Sequence, residues 1–207
     1  MRERDRMLSG KLYHPGKIEG NTWDVIRAAC KKFNDSEFWH DDSALNELCA
    51  LFAQGPEDMT LTPPFYCDHG DLISFGRHFY ANTGLTILDE AKVTFGDNVY
   101  VAPHVSIYTA AHPIDRRIRA TDLEYAKPVT IGNDVWIGGN VVINPGVSVG
   151  DDVVIASGAV VTHDIPPHVI AGGCPCRVLR PITQEDRDNW QSQYEDYTSD
   201  PDTEGLS

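Results

Sequence analysis

His112 lies in the segment IYTAAHPID, which carries no charged residue before Asp115. Its imidazole has the chemistry of an acid–base catalyst. Histidine side chains ordinarily titrate near neutral pH, so an imidazole can take a proton from a hydroxyl and return it to a leaving group. Histidine also ligates metals, and many loop histidines do neither. Which role applies to His112 depends on the structure that the rest of the chain builds.

The five cysteines do not suggest a second kind of chemistry. Their number is odd and they lack the spacing of a disulfide framework, which indicates reduced thiols. Cys174 and Cys176 form a C-x-C pair in CPCR, but no second pair accompanies it. We therefore predict no metal site there.

Composition excludes several classes of partner. The formal net charge of the 207 residues is −14, which argues against binding nucleic acid or an anionic membrane. The charged N-terminus MRERDRMLSGKLY lacks the apolar core of a signal peptide, and no run approaches the roughly 18 apolar residues of a membrane span. We expect a cytoplasmic protein without a membrane or nucleic-acid partner.

The sequence repeats every six residues over much of its length. From Val129 the hexads read VTIGND, VWIGGN, VVINPG, VSVGDD, VVIASG and AVVTHD, each with aliphatic residues at its first and third positions. The period also runs upstream, as VTFGDN, VYVAPH and VSIYTA from Val93, and as ISFGRH, FYANTG and LTILDE from Ile73. A two-residue slip, Ala91 and Lys92, separates the two upstream blocks.

A strict period of six fits neither a helix nor a hairpin meander, because turn residues return too soon for strands of ordinary length. It is typical of a solenoid whose coils have three short faces, with the first residue of each hexad pointing inward. We predict a mainly β fold of about four to five coils, four of which are residues 73–90, 93–110, 129–146 and 147–164. The alternative is a set of ordinary strands whose valines and isoleucines fall in phase by chance.

Residues 111–128, AHPIDRRIRATDLEYAKP, interrupt two otherwise continuous coils. An irregular insertion of this length in a compact domain is commonly functional. We predict an extruded loop with His112 at its mouth.

Helices are predicted on both sides of the repeats. Thr22 and Ser43 are candidate caps for two preceding helices, and Gly55-Pro56 stops the second. After the repeats, Thr183 and Asp186 have the spacing of a capping box for a short helix. The apolar faces of the first two helices would comprise Ile26, Ala29, Cys30 and Phe33, and Leu45, Leu48, Leu51 and Phe52.

Three regions follow from these patterns. Residues 1–58 form an N-terminal helical segment, and residues 59–182 form the β-helix with its extruded loop. Residues 183–207 form a C-terminal helix and an acidic tail. From Glu185 onward eight acidic side chains face one Arg187, so we interpret this region as solvated and expect SDPDTEGLS to be disordered.

The motifs FYANTGLTILD, IYTAAHPID, KPVTIGNDVWIGGNVVINPGVSVGD and IPPHVIAGGCPCRV resemble the maltose and galactoside O-acetyltransferases, hexapeptide-repeat enzymes with a left-handed parallel β-helix. MLSGKLY and the two helices resemble the N-terminal segment of the maltose acetyltransferases, and the likeness covers about residues 5–182. It implies a homotrimer that binds acetyl-CoA between subunits and needs no metal. Since parallel crossovers are ordinarily right-handed, the handedness comes from the resemblance alone.

The resemblance also implies roles for individual residues. His112 matches the catalytic base of the family. The implied acceptor contacts are Asn82, Tyr80, Asp68, Asp89 and Glu124, of which Glu124 either orients the imidazole, meets the acceptor or is a solvated carboxylate. The implied CoA contacts are Trp136, Gly139, Ser157, Thr162, Arg177 and Arg180, together with His163.

Two departures from the family pattern bear on specificity. His163 stands where a lysine usually meets a CoA phosphate. The stretch YHPGKIEGNTW has no equivalents of the Asp and Arg that the galactoside enzymes carry for the sugar. The acceptor is therefore open among maltose, glucose, a β-galactoside, a lipo-oligosaccharide and a non-sugar alcohol.

The expected reaction is direct acetyl transfer from acetyl-CoA to a sugar hydroxyl, with His112 as general base and a backbone N–H at Gly138-Gly139 as candidate oxyanion donor. Two alternatives use the same scaffold: a zinc β-helix of the γ-carbonic-anhydrase type, for which His78 and His104 lie on coils, and a non-catalytic β-helix. The histidines lack a recognisable ligand spacing.

Overall fold

Short strands stacked in three sheets form the body of the protein. The computed structural model describes residues 1–20, 23–56 and 58–200. The helices are α1 (Glu3–Leu8), α2 (Trp23–Asn34), α3 (Ser43–Cys49), α4 (Arg116–Arg119) and α5 (Gln184–Ser199), with a 3-10 turn at Pro15–Lys17. The strands are β1 (Thr60–Leu61), β2 (Tyr66–Cys67), β3 (Ile73–Ser74), β4 (Tyr80–Ala81), β5 (Thr86–Leu88), β6 (Val93–Phe95), β7 (Tyr100–Val101), β8 (Ser106–Tyr108), β9 (Ala110–Ala111), β10 (Tyr125–Ala126), β11 (Val129–Ile131), β12 (Trp136–Ile137), β13 (Val142–Ile143), β14 (Ser148–Val149), β15 (Val154–Ile155), β16 (Val160–Val161), β17 (Val169–Gly172) and β18 (Arg177–Pro181).

The three sheets are the three faces of a parallel solenoid. The seven-stranded face has the order β1-β4-β7-β12-β15-β17-β18, the five-stranded face β16-β13-β8-β5-β2, and the four-stranded face β14-β11-β6-β3. Strands on one face pair in parallel across successive coils, as Val142 does with Val160; only β18 is antiparallel. The predicted solenoid is confirmed.

The hexad positions decide which side chains enter the core. Val135, Val141 and Ile143, at first and third positions, are at most 1% exposed. Because strand side chains alternate between faces, the residue between a first and a third position points outward. Burying each aliphatic side chain stabilises the fold by about 1.5–3 kcal/mol.

The solenoid is longer than the four coils that we placed, with about six turns. The added strands β1 and β2 precede Ile73, and β17 follows the last predicted coil. Met59 and Phe65 occupy first positions and Leu61 and Cys67 third positions of two further hexads, and all four are buried. The hexad signal was present, but it is hard to read because the residues between, including Pro63-Pro64, are not typical of the repeat.

Helices α2 and α3 cover the N-terminal end of the solenoid. Their buried residues include Ile26, Cys30 and Phe33 of α2 and Leu48 of α3, with Ala29, Leu45 and Leu51 partly buried against the same core. Phe52 packs edge-on against Phe65 of the first coil, 5.9 Å between ring centroids. The predicted apolar faces are therefore the ones that pack.

The helix ends differ from the predictions in detail. Ser43 does not cap α3: it is the first helical residue, and its N–H and hydroxyl both donate to Asp41. Thr22 lies outside the described residues. Helix α1 was not predicted from the sequence, because six residues with one buried side chain, Met7, carry little periodic signal.

The insertion is more ordered than its sequence suggests. Strands β9 and β10 pair antiparallel at its base, with Ala110 opposite Ala126, and Asp115 caps the short α4 at its tip. After the solenoid, the Thr183–Asp186 capping box is confirmed, but α5 runs for 16 residues to Ser199 and is not short. Most of the predicted disordered tail, residues 201–207, lies outside the described residues. None of the described helices has the length and apolarity needed to cross a membrane.

Candidate active site

A polar cavity of about 470 Å³ opens beside His112. Three regions of the chain line it: the N-terminal segment, two coils of the five-stranded face, and the base of the extruded loop. Lining residues include Trp23, Arg27, Asp68, Glu90, Tyr108 and Glu124. The side chain of His112 is 55% exposed at this mouth, so a hydroxyl in the cavity can reach its ring.

Glu124 lies behind His112. Its Oε1 is 3.8 Å from His112 Nε2, and its side chain is 19% exposed. The same carboxylate accepts a hydrogen bond of 2.9 Å from the hydroxyl of Tyr13 through Oε2. The contact with Tyr13 and the low exposure exclude a freely solvated loop carboxylate, one of the roles left open for Glu124 by the sequence.

Two carboxyl groups share the floor of the cavity. Glu90 is 7% exposed and hydrogen-bonds with Asp68. Burial and the charge of Asp68 raise the pKa of Glu90 to about 9. At neutral pH Glu90 is therefore a neutral acid that donates its one proton to Asp68, and the pair presents acceptor oxygens to a ligand.

Asp89 does not have the predicted surroundings of an acceptor contact. It is fully buried, and its carboxylate accepts backbone N–H groups of Asp68, His69 and Gly70 at 2.7–3.0 Å. Burial raises its pKa. Both carboxylate oxygens of Asp89 are occupied in holding the turn that presents Asp68 to the cavity, so Asp89 is not positioned to contact an acceptor.

Asn82 and Tyr80 lie on the seven-stranded face and do not line the His112 cavity of this chain. Their side chains bond to each other, from Asn82 Nδ2 to the Tyr80 hydroxyl at 3.2 Å, and Asn82 Oδ1 accepts the N–H of Thr83. Tyr100 lies opposite Tyr80 on the neighbouring strand, and the two ring centroids are 6.2 Å apart. Within one chain Asn82 and Tyr80 are half-buried, lie beside the exposed Tyr100 and stand away from His112.

The residues predicted to contact CoA lie along the last coils. Gly139 and Ser157 occupy the same corner of successive coils, where the N–H of Gly158 donates to Gly139 O at 2.8 Å. One coil edge further, His163 and Arg177 line a groove of about 330 Å³, and Thr162 bonds to His163 Nδ1 at 2.9 Å. Arg177 makes one bond to Cys176 O, which leaves most of its guanidinium exposed to the groove.

Two residues on this side, Gly138 and Arg180, differ from expectation. The N–H of Gly138 donates to Ile155 O at 2.8 Å, so it is not available to an oxyanion, and Gly139 is the remaining candidate. A Cβ at Gly138 would lie 2.6 Å from Ser157 N, so close coil stacking requires that glycine. Arg180 is held by Asp186 in two bonds of 2.6 and 2.8 Å and is not a free cation.

Trp136 is 54% exposed and lies in a different depression from His163. Together with Val154 and Ile170 of the seven-stranded face, and Arg180 and Trp190, it lines a cavity of about 460 Å³ under the start of α5. Its predicted place beside CoA stays a prediction.

Comparison with known proteins now decides the family. Residues 128–163 match the model described as bacterial transferase hexapeptide (six repeats). The chain is 46% identical over 192 residues to the galactoside O-acetyltransferase of Escherichia coli (strain K12), covering 92% of this chain and 94% of that one. The chain belongs to the hexapeptide-repeat acetyltransferases.

Two solved structures of this family share the fold. A galactoside acetyltransferase in complex with coenzyme A superposes with a TM-score of 0.85 at 42% identity, covering 90% of this chain and 94% of that chain. A maltose O-acetyltransferase from Clostridium difficile 630 has the same TM-score at 41% identity, covering 89% and 99%. The left-handed parallel β-helix and the acetyltransferase class predicted from the motifs are confirmed.

Metal ligation is not a feature of the described part of this acetyltransferase. No three His, Cys, Asp or Glu side chains among residues 1–20, 23–56 and 58–200 are grouped as a metal site. His78 lies 3.3 Å from Asp58, and His104 stands at a coil corner with a φ of 59°. Neither therefore supports the zinc alternative.

Several residues in and beside the cavity were missed from the sequence, among them His69 and Glu90, which line it, and Tyr13, which lies behind Glu124. Tyr13 and His69 gave no signal, because both become polar neighbours of the site only on folding. Glu90 did leave a trace: Asp89-Glu90 is a charged pair directly before the slip at Ala91, at a place where coil residues become buried. His69 is 2% exposed, and burial lowers its pKa, so it lines the cavity as a neutral imidazole.

Proposed function

We propose that this acetyltransferase moves the acetyl group of acetyl-CoA directly to a hydroxyl of a sugar, with His112 as the general base. The observation that carries the proposal is the position of His112, half exposed at the mouth of a polar cavity with the Glu124 carboxylate 3.8 Å behind it. A relative of the same fold binds coenzyme A.

His112 and Glu124 divide the acid–base work. The neutral imidazole accepts the proton of the acceptor hydroxyl as that oxygen attacks, and the proton then passes to the departing thiolate. While the ring carries the proton, the Glu124 carboxylate stabilises the imidazolium. No cysteine or serine lines the cavity among the described residues, which supports transfer without a covalent enzyme intermediate.

The cavity favours a sugar as acceptor. Trp23 and Tyr108 contribute aromatic rings, the guanidinium of Arg27 contributes donors, and the Asp68–Glu90 pair contributes acceptors. Sugars present apolar ring faces beside hydroxyls that both donate and accept, so these groups are complementary to them. Galactoside and maltose acetyltransferases are among the relatives, and the acceptor is of that type.

The donor site follows the coil corners. When bound, acetyl-CoA supplies an activated thioester. Arg177 and His163 would hold its phosphates at the open groove, and the N–H of Gly139 would face the thioester oxygen. The groove and the exposed guanidinium of Arg177 fit an anionic ligand in a chain whose net charge is −14.

Assembly as a homotrimer would bring Asn82 and Tyr80 to the acceptor. These residues lie away from the His112 cavity of their own chain, so they can serve a site only if a neighbouring subunit brings its seven-stranded face to it. All five cysteines are free thiols, as is usual in the reducing cytoplasm, where we place the enzyme.

The test is release of free CoA thiol from acetyl-CoA across a panel of maltose, glucose, galactosides and small non-sugar alcohols. His112→Ala should lower kcat/KM by about 10²- to 10⁴-fold with an unchanged melting temperature, as expected on loss of a general base. Turnover of non-sugar alcohols alone would refute the sugar acceptor. Equal turnover by the variant would refute the base, and no turnover at all would favour the non-catalytic scaffold.

A further inference from the structure

The N-terminal segment is fastened to the solenoid beside the cavity. Arg4 donates to Asp71 at 2.6 Å, and Glu3 of α1 accepts the N–H of His14 at 2.7 Å. Arg6 donates to Leu12 O at 2.6 Å. These bonds lie on both sides of Tyr13, so its position is set from two directions.

Tyr13 joins this segment to the extruded loop. Its N–H donates to Glu124 O, and the N–H of Glu124 donates to Tyr13 O, both at 3.0 Å, an antiparallel bridge between residues 111 positions apart. Its ring is fully buried in a small apolar cluster that contains Met7, Leu72, Ala91 and Ala126. Backbone and ring together hold the loop where it leaves the coils.

The hydroxyl of Tyr13 then selects one orientation of the Glu124 carboxylate. It donates to Oε2 at 2.9 Å, which leaves Oε1 directed at His112 Nε2. Burial and the nearby charges of Glu90, Glu124 and Asp68 raise the pKa of Tyr13. The phenol is thus a permanent donor at working pH.

We propose that Tyr13 is a positioning residue for catalysis: its hydroxyl fixes the rotamer of Glu124, and Glu124 in turn stabilises the protonated form of His112. This inference rests on the proposed role of His112 as base. Arg27, Asp68, His69 and Glu90 also line the cavity, and they are unchanged in every variant below.

The test is a double-mutant cycle in the full chain with Tyr13→Phe, Glu124→Gln and the double variant. Tyr13→Phe keeps the ring and removes only the hydroxyl, so the bridge and the apolar cluster are retained. We expect kcat to fall about tenfold with KM for acetyl-CoA unchanged, since misplacement of a catalytic group acts on the chemical step. The double variant should be no slower than Glu124→Gln alone, because Tyr13 acts through Glu124.

Tyr125→Phe is the matched control. Tyr125 lies on the same loop, and its hydroxyl makes no hydrogen bond within the described part of the chain, so kcat should stay within about twofold of wild type. A melting temperature close to wild type in Tyr13→Phe shows that the loss of rate is not a loss of fold.

A second readout needs no turnover. The chemical shifts of the His112 ring, followed by NMR at one fixed pH, should change in Glu124→Gln and, by less, in Tyr13→Phe, because the carboxylate 3.8 Å from Nε2 is removed or moved, while Tyr125→Phe leaves them in place. If wild type acetylates nothing, the proposed function fails and these shifts still decide the inference. Unchanged His112 shifts in Tyr13→Phe, or rate losses that multiply in the double variant, would overturn it.

Discussion

The coils and the cavity of this protein bury opposite kinds of side chain. In the coils, Val141 and Ile143 are fully buried among other aliphatic groups and held by a parallel ladder. A short distance away, Glu90 and Tyr13 are buried among charged neighbours. The first arrangement stabilises the fold and the second costs stability, because polar groups lose their hydration there. The stability of the regular solenoid offsets the cost of the buried polar site beside it.

The coils and the cavity also differ in the sequence separation of the residues that contact each other. Coil neighbours on one face pair at regular separations, such as Val142 with Val160, so each coil packs on the next as a repeated unit. At the cavity, Tyr13 meets Glu124 across 111 residues, and no repeat prescribes the pairing. Changes in the coils should therefore act on stability, and changes at the cavity on activity and pH dependence.

The largest expected effect is on the coils. Ile143→Ala removes a fully buried side chain and should lower the free energy of unfolding by about 2–5 kcal/mol, because the stacked coils cannot close the cavity left behind. Ile114→Ala, in the loop at a residue 93% exposed, is the matched control and should change it by less than about 0.5 kcal/mol. Urea unfolding of both variants measures this. Equal losses would contradict the contrast between coil and loop.

The next effect belongs to the cavity and depends on pH. Glu90 is protonated in the folded state up to about pH 9 but ionises near 4.5 when unfolded. Its contribution to stability is therefore complete below about 4.5 and is lost as the pH rises towards 9, at up to about 1.4 kcal/mol per pH unit. In Glu90→Gln the free energy of unfolding should fall less steeply between pH 5 and 9.

Urea titrations at several pH values check the slope. Glu37→Gln is the matched control, because it makes the same substitution at an exposed carboxylate. It should keep the wild-type slope of the free energy of unfolding against pH. Parallel curves for wild type and Glu90→Gln would mean that Glu90 is ionised in the folded protein and that the Asp68–Glu90 pair has been misassigned.

The smallest effect separates two arginines at the end of the solenoid. Arg177 is open to the groove that it shares with His163, whereas Arg180 is paired with Asp186. Arg177→Gln should raise KM for acetyl-CoA by about 5- to 30-fold, the loss of one charge-assisted hydrogen bond. Arg180→Gln should raise it by about twofold or less. The reverse order would show that CoA displaces Asp186 from Arg180.

Much of the fold could be predicted because it repeats. The aliphatic first and third positions from Ile73 to Ile165 predicted the core, and the capping box at Thr183 predicted the start of α5. The two early hexads, which carry β1 and β2, were missed because Pro63-Pro64 interrupts the pattern between them. Helix α1 was missed because a single buried residue in six gives no period.

The cavity could be predicted only in part. His112 stood out as a histidine at the mouth of an insertion, and the family resemblance implied roles for Asp68 and Glu124. That Glu90 rather than Asp89 lines the cavity could not be predicted, because adjacent residues at the end of a strand point to opposite sides and the slip at Ala91 obscures which side is inward. We expected Arg180 to contact CoA, because the sequence indicated only a helix-capping role for Asp186.

The sequence by itself determined the solenoid and its hydrophobic core, since a period of six with inward aliphatic residues is a local pattern that each coil satisfies alone. Its motifs, not the period, indicated the family. Only the tertiary structure decided which polar groups meet. Tyr13 reaches Glu124, and Glu90 reaches Asp68, through contacts between distant segments whose energies depend on burial and on neighbouring charges. Burial and the charges of neighbouring groups depend on segments that are distant in sequence, so neither can be deduced from the local sequence around a residue.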